Sequence, residues 1–246
     1  MLGLGVSLSS GGAISSGVVP TDISDLAFWF KNNTGITSDG GSPDNVSQWD
    51  DSSGNDNHMA QSVSGDQASV SGGGLLFVDG ENDHYDLTTA VDIGASNAFT
   101  MIIVLNITDH DTKNVIFGNK ASGAAATFLE MQTEDQIRFR QTATIAVLKF
   151  ADSGNFPAGA KYMITVTKDT SRNLVVYKNG SVLTQDSSTG NPVASGAFSL
   201  DQIGGKATNP DDDFDGYMYE LLLYEKLLSS EELAGVHAEI QARNGL

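Results

Sequence analysis

The sequence predicts an all-β fold, an antiparallel jelly-roll β-sandwich with one C-terminal α-helix, on three observations. Short runs rich in aromatic and β-branched residues recur between clusters of Gly, Asn, Asp and Ser, the pattern of strands joined by turns. Several runs alternate with a period of two. In 161–168, Tyr162, Ile164 and Val166 share one face while Met163, Thr165 and Thr167 take the other, and Ile137 and Phe139 alternate with Arg138 and Arg140. Helical spacing is confined to the C-terminus.

The chain opens on a Gly/Ser-rich stretch, MLGLGVSLSSGGAISSGVVP, with no basic leader and with its apolar residues interrupted. It reads as an arm over residues 1–21 and as neither signal peptide nor membrane span. Such an arm is ordered only when docked, so an assembly contact is expected for it. Residues 22–246 form the domain. Strands are expected over 26–30, 74–78, 99–106, 115–118, 127–132, 136–141, 144–150, 162–168, 174–178, 181–185, 198–203 and 217–224. Asn179-Gly180 supplies the positive φ angles of a type I′ turn and marks a hairpin. For the helix, Ser229 and Glu232 fit a capping box, Leu233, Val236 and Ile240 fall on one face, and Gly245 ends the segment.

At 246 residues, 39% of them apolar and none of them Cys, the chain can build one large core without disulfides or zinc. A net charge of −18 excludes a basic stripe that could replace phosphate counterions. Between Met1 and Thr112, Lys31 is the sole basic residue against fifteen Asp and Glu. Nucleic acid and anionic membranes are therefore not expected as partners, and the charge suits solvent exposure or cation binding.

Few motifs carry chemistry. Asp211-x-Asp213-x-Asp215-Gly216 begins like a calcium loop, because alternate carboxylates converge on a hard cation and Gly permits the sharp turn. Its twelfth position is Leu222 instead of a bidentate Glu, so the EF-hand is not completed. Asp211, Asp213 and Asp215 are nonetheless the metal candidates, calcium the cation, with a solvated acidic turn as the competing reading. His58, His84, His110 and His237 are isolated, no G-x-S-x-G elbow is present, and no cofactor is required. For sugar recognition, Tyr85 and Tyr217 are the aromatic candidates that could stack on a pyranose, or else belong to the core.

The stretch WDDSSGNDNH, residues 49–58, concentrates polar groups behind one tryptophan. Trp49 is expected to end a strand and fill the core. Asp51, Ser53, Asn55 and Asn57 then hydrogen-bond backbone through a tight turn in which Gly54 takes a conformation other residues resist. The stretch resembles the W-x-D-x-S-G-N-x-N-H run of laminin G-like domains in the concanavalin A-like lectin and glucanase superfamily. Four further stretches match in the same order: Phe77 to Gly80 with Asp83, Val176 to Gly180 with Asn179 at the turn, Ile203-Gly204-Gly205, and FDGYMYELLLYEKLLSSEE. In the last, Phe214, Gly216, Glu220, Tyr224, Leu228, Ser229 and Glu232 fit the pattern, with Met218 in an Ile position.

The resemblance covers residues 22–246 and implies the sandwich; function is carried by sites, not by fold. Relatives of this kind serve as carbohydrate-binding modules, adhesion domains, glucanases and parts of phage virions. The arm followed by this domain looks most like the bacteriophage structural proteins. The expectation is thus a non-enzymatic virion protein on the particle exterior, a capsid decoration, fibre or tail-associated protein. Its expected partners are other virion proteins, copies of itself and host glycans. The alternative is a carbohydrate-binding or adhesion module of a secreted or cell-surface protein. A glycoside hydrolase is the third reading: the glucanases' E-x-D-x-x-E is approached by Glu81-Asn82-Asp83-His84-Tyr85-Asp86, where a surface turn is the competing explanation.

Overall fold

The computed structural model describes residues 17–78, 82–94, 97–111, 113–121, 126–141, 144–151, 154–205 and 213–246. In chain order the strands are β1 (Leu26–Phe30), β2 (Ile36–Ser38), β3 (Val46–Trp49), β4 (Met59–Ala60), β5 (Ser69–Ser71) and β6 (Gly74–Phe77). Then come β7 (Tyr85–Ile93), β8 (Phe99–Ile107), β9 (Asn114–Gly118), β10 (Phe128–Thr133), β11 (Gln136–Gln141) and β12 (Thr144–Phe150). The last are β13 (Tyr162–Lys168), β14 (Leu174–Lys178), β15 (Ser181–Val182), β16 (Gln185–Thr189), β17 (Phe198–Ile203) and β18 (Gly216–Tyr224), followed by α1 (Ser230–Asn244). Among the described residues they form two antiparallel sheets. The first has eight strands in the order β15-β14-β13-β8-β18-β6-β5, with β1 also paired to β18; the second has ten, in the order β16-β12-β11-β10-β9-β17-β7-β4-β3-β2.

Each predicted segment coincides with a strand to within a residue or two, except 181–185, which divides between β15 and the start of β16. Outside those twelve segments lie β2, β3, β4, β5, the nine-residue β7 and most of β16; of these, β2 (ITS) and β5 (SVS) are short and polar and have little to alternate. Here pairing to a neighbour, not side-chain pattern, makes the strand. The alternation in β13 reads as a half-buried strand, and the structure corrects that, since all seven of its residues are buried. Tyr162, Ile164 and Val166 face the core between the sheets, and Met163 joins the layer under α1.

The inter-sheet core is aromatic, with Phe99, Phe139 and Phe198 mutually packed at 4.8 to 6.0 Å between ring centroids. Phe77 lies edge-on to both Tyr85 and Phe214, at 5.8 and 5.6 Å, so residues of two matched stretches meet in one cluster with β7. Each buried ring contributes roughly 2–3 kcal/mol relative to exposure. Gly216 enters β18 at φ 143, where a Cβ would lie 2.1 Å from the Asn106 carbonyl oxygen, so the close approach of β8 requires glycine.

A register shift between Met218 and Glu220 in the β18–β8 pair turns Tyr219 and Glu220 together toward the helix. Glu220 is fully buried and accepts from the Trp29 indole (2.7 Å), the Asn244 amide (2.7 Å) and Arg243 (2.5 Å). Strand β1, strand β18 and the last turn of α1 are thereby tied to one carboxylate. Burial still pushes its pKa up, outweighing the indole, guanidinium and amide that favour the charged form. The capping box forms as expected, with Ser229 accepting from the Glu232 backbone, and Gly245 closes the helix at φ 68.

Residues 17–21, expected within the arm, pack on the domain itself. Val18 lies against Gly235, where a Cβ would come 2.3 Å from Val18 Cγ2, and the Tyr224 hydroxyl donates to the Pro20 carbonyl at 3.1 Å. Residues 1–16 of the arm lie outside the described residues.

His237 is buried between α1 and β13, with Nε2 2.8 Å from the Thr165 hydroxyl and its ring edge-on to Tyr177. Burial lowers its pKa from 6.5 to about 4. The unfolded chain therefore takes up this proton first as pH falls, so the contribution is complete above the unfolded value of 6.5 and is lost toward pH 4. Urea unfolding of the parent chain should lose on the order of 2 kcal/mol through this group between neutral pH and pH 4. The variant His237→Gln, which keeps a polar partner for Thr165 but does not titrate, should show a correspondingly smaller loss; equal losses contradict the assignment.

Candidate functional site

The loop at 49–58 is a backbone clamp. Trp49 is fully buried, and its indole donates to the Lys31 and Thr34 carbonyls at 3.2 and 3.0 Å. Asp51 Oδ1 accepts from the backbone amides of Trp29 and Ser53, both at 2.8 Å. Its Oδ2 accepts from the Ser53 hydroxyl at 2.7 Å and the Asn57 amide at 3.1 Å. Gly54 has φ 93, as the tight turn requires. From this clamp two amides reach outward: Asn55 Nδ2 donates to the Leu26 carbonyl at 2.6 Å, and Asn57 Oδ1 accepts from the Thr89 backbone at 2.8 Å.

Those two asparagines line an open hollow of about 480 Å³, together with Asp25, Thr89, Asp92 and Glu225. Asp25 stands at φ 65 before β1, and its carbonyl accepts from the Glu225 amide at 2.7 Å, joining the entry of β1 to the exit of β18. Asp92 projects from β7. Burial pushes the Glu225 pKa up, and the negative charges of Asp25 and Asp92 push it in the same direction. The arrangement offers strong acceptors beside fixed amides, a surface that hydroxyl-rich or cationic ligands can satisfy and anionic ligands cannot.

Asp213 and Asp215 are both buried, at 2% and 8% exposure, which corrects the picture of a solvated turn for these two. The Asp215 amide donates to Asn114 Oδ1 at 3.0 Å, and its carbonyl accepts from Thr108. Asp211 lies outside the described residues, and among the described residues no three His, Asp or Glu gather as metal ligands. His58 Nδ1 accepts from the Asp51 amide at 3.1 Å, and His84 and His110 each lie 2.7 Å from a backbone carbonyl.

In the Glu81 to Asp86 run, Glu81 lies outside the described residues. Asp83 is buried and accepts from the Val78 amide at 2.9 Å, while Asp86 pairs with Lys120 at 2.8 Å. Tyr85 is fully buried, its hydroxyl donating to the Val46 carbonyl at 2.8 Å, so of its two readings the core one holds. Tyr217 is partly buried and stacked on Tyr219 at 6.1 Å. Asn179 and Gly180 turn the β14–β15 hairpin at φ 47 and 81.

The clamp generates a direct test. Asp51→Ala leaves three backbone amides and a hydroxyl without their acceptor and should cost about 3–5 kcal/mol in urea unfolding. A loss below about 1 kcal/mol would mean that water replaces the carboxylate without consequence.

Comparison with known proteins agrees with this architecture. No curated protein matches the chain. Among solved structures, Trypanosoma rangeli sialidase superposes with a TM-score of 0.58 at 18% identity, over 90% of this chain and 34% of the sialidase. The binding domain of botulinum neurotoxin serotype G superposes with a TM-score of 0.56 at 14% identity, over 83% of this chain and 50% of that one. The chain thus spans about a third of the sialidase and half of the toxin domain, and these likenesses concern the fold. A family model matches residues 79–234, more than half the chain, and within that span lie the paired strands β7 to β18. The chain belongs to the Concanavalin A-like lectin/glucanases superfamily, as a laminin G-like domain.

Proposed function

We propose that the chain is a non-enzymatic glycan-binding or adhesion module whose site is the hollow bounded by Asp25, the 49–58 clamp, β7 and Glu225. The convergence of three carboxylates, two amides and a threonine on one open hollow of about 480 Å³ carries this reading. A pyranose presents several hydroxyl donors, and ionised carboxylates accept them more strongly than neutral groups do. Asn55 and Asn57 are held by backbone partners before any ligand arrives, which reduces the ordering cost of binding. The lectin-like fold supports the same reading.

Hydrolysis is set aside because Asp83 and Asp86, the described carboxylates of the glucanase-like run, are engaged in a turn and an ion pair. Incubation with β-glucans should release no reducing sugar. On a glycan array the protein should give reproducible, competable binding, weakened about tenfold by Asp25→Asn or Asp92→Asn, each of which preserves shape while removing charge. Silence across the array, or binding unchanged in both variants, overturns the proposal.

A second reading, a structural protein on a virus-particle exterior, is favoured by the net charge of −18 together with a Gly/Ser-rich arm whose root is seated on α1. The seated residues set the cut that tests it. Deleting residues 1–16 should leave the melting temperature unchanged while abolishing incorporation into the particle. Normal incorporation of the truncated chain contradicts this reading.

A further inference from the structure

Between α1 and the β14–β15 hairpin lies a second open pocket, of about 300 Å³, which shares no residue with the acidic hollow. Spacing by four and three residues puts Ser230, Ala234 and His237 on one stripe of the helix, and Tyr177 and Gly180 line the pocket from the hairpin. Leu227 and Leu233 complete an apolar wall, and Leu227, in the turn from β18 to α1, is 46% exposed at the rim. Among the described residues no Asp, Glu, Lys or Arg lines it.

His237 is the polar group set into this wall. It is 5% exposed, with Nε2 2.8 Å from the Thr165 hydroxyl. Thr165 is fully buried, and Nε2 is the partner of its hydroxyl. The hydroxyl proton is therefore donated to Nε2, and the imidazole proton sits on Nδ1. Burial keeps the ring neutral at physiological pH, its pKa lowered to about 4. Nδ1 has no hydrogen-bond partner among the described residues. A Cβ at Gly180 would lie 3.5 Å from it, so glycine in the turn leaves this nitrogen open to the pocket.

The pocket thus presents one N–H donor in an apolar recess, which favours a ligand that brings an acceptor on an apolar body. Charge decides which acceptor. Glu231 and Glu232 stand in the first turn of α1 beside Ser230, and the net charge is −18, so a carboxylate is repelled whereas a neutral carbonyl is not. Volume decides the body. A cavity of roughly 150 Å³ takes one benzene ring, so about 300 Å³ admits one ring with a short substituent. An aromatic ring suits the wall, where Tyr177 and His237 already meet edge-on with centroids 5.9 Å apart.

We infer that this pocket binds a small neutral aromatic carbonyl compound, its carbonyl oxygen accepting from His237 Nδ1 and its ring packed against Leu227, Leu233 and Tyr177. Such a ligand leaves the hollow free, so binding at the two sites succeeds or fails separately. The probe is acetophenone. Ethylbenzene is the control without an acceptor, benzoate the anionic control and N-acetylglucosamine the sugar control.

Imidazole nitrogen spectra of the full chain, with His237 assigned by its absence from His237→Gln, should show the proton on Nδ1 and a shift of that nitrogen on adding acetophenone. The three controls should bind about tenfold more weakly or less. Ala234→Phe fills the pocket from an exposed position and Leu227→Ser strips its rim. Each should weaken acetophenone binding about tenfold while the melting temperature stays within about 2 °C of the parent. Asp92→Asn should leave it unchanged. A proton on Nε2, an unmoved His237, ethylbenzene or benzoate binding as tightly, or insensitivity to both pocket variants overturns the inference. Tighter binding of N-acetylglucosamine overturns it by giving the pocket to a glycan, and a dimer that Ala234→Phe dissociates overturns it by giving the pocket to a second copy.

Discussion

The carboxylate of Asp51 is the constraint on which the rest of the site depends. Its two oxygens accept four hydrogen bonds, three from backbone amides and one from a hydroxyl, and these belong to β1 and to both limbs of the 49–58 loop. A carboxylate so surrounded serves as a local template: beside the Phe30–Asp51 bridge it accepts from the Trp29 amide within β1, and it gives the loop one shape. Asn55 and Asn57 are positioned as a result, one on the entrance of β1 and the other on β7. The hollow exists because these two elements are held at a fixed separation.

Glu220 plays the corresponding part on the far side of β18. The bulge turns it outward on a sheet that is apolar on both faces, one against the opposing sheet and one against α1. Such two-sided burial shows in the unbroken run of buried residues over 99–105 of β8 and along all of β13. The helix is held by Leu233, Val236 and Ile240 against the sheet and by what its end brings to Glu220: Arg243, stacked over Trp29 at 5.0 Å, and Asn244.

Much of this was legible in the sequence because local rules and tertiary demand agreed. The Asn179-Gly180 turn, the capping box at Ser229 and the alternation in β11 each specify one conformation, and each is present. The 49–58 spacing likewise foretold a hydrogen-bonded turn rather than a reactive cluster. Burial on the second face of β13 was not legible, since Thr165 and Thr167 look solvent-facing until His237 and the helix arrive above them. The hollow was less legible still. Asp25, Asp92 and Glu225 come from distant parts of the chain in unremarkable contexts, and topology alone brings them together. Asn55 and Asn57 were the only local signal, and they pointed to a turn.

A crystal structure of the protein with a glycan that it binds competably would test the central claim most directly, because it locates the ligand without reference to any variant. The account predicts sugar hydroxyls within hydrogen-bonding distance of Asp92 and at least one of Asp25, Asn57 and Glu225, with the 49–58 backbone unmoved. A neutral glycan seated elsewhere on the sandwich, or a hollow that must rearrange its Asp51 clamp to admit one, would contradict it.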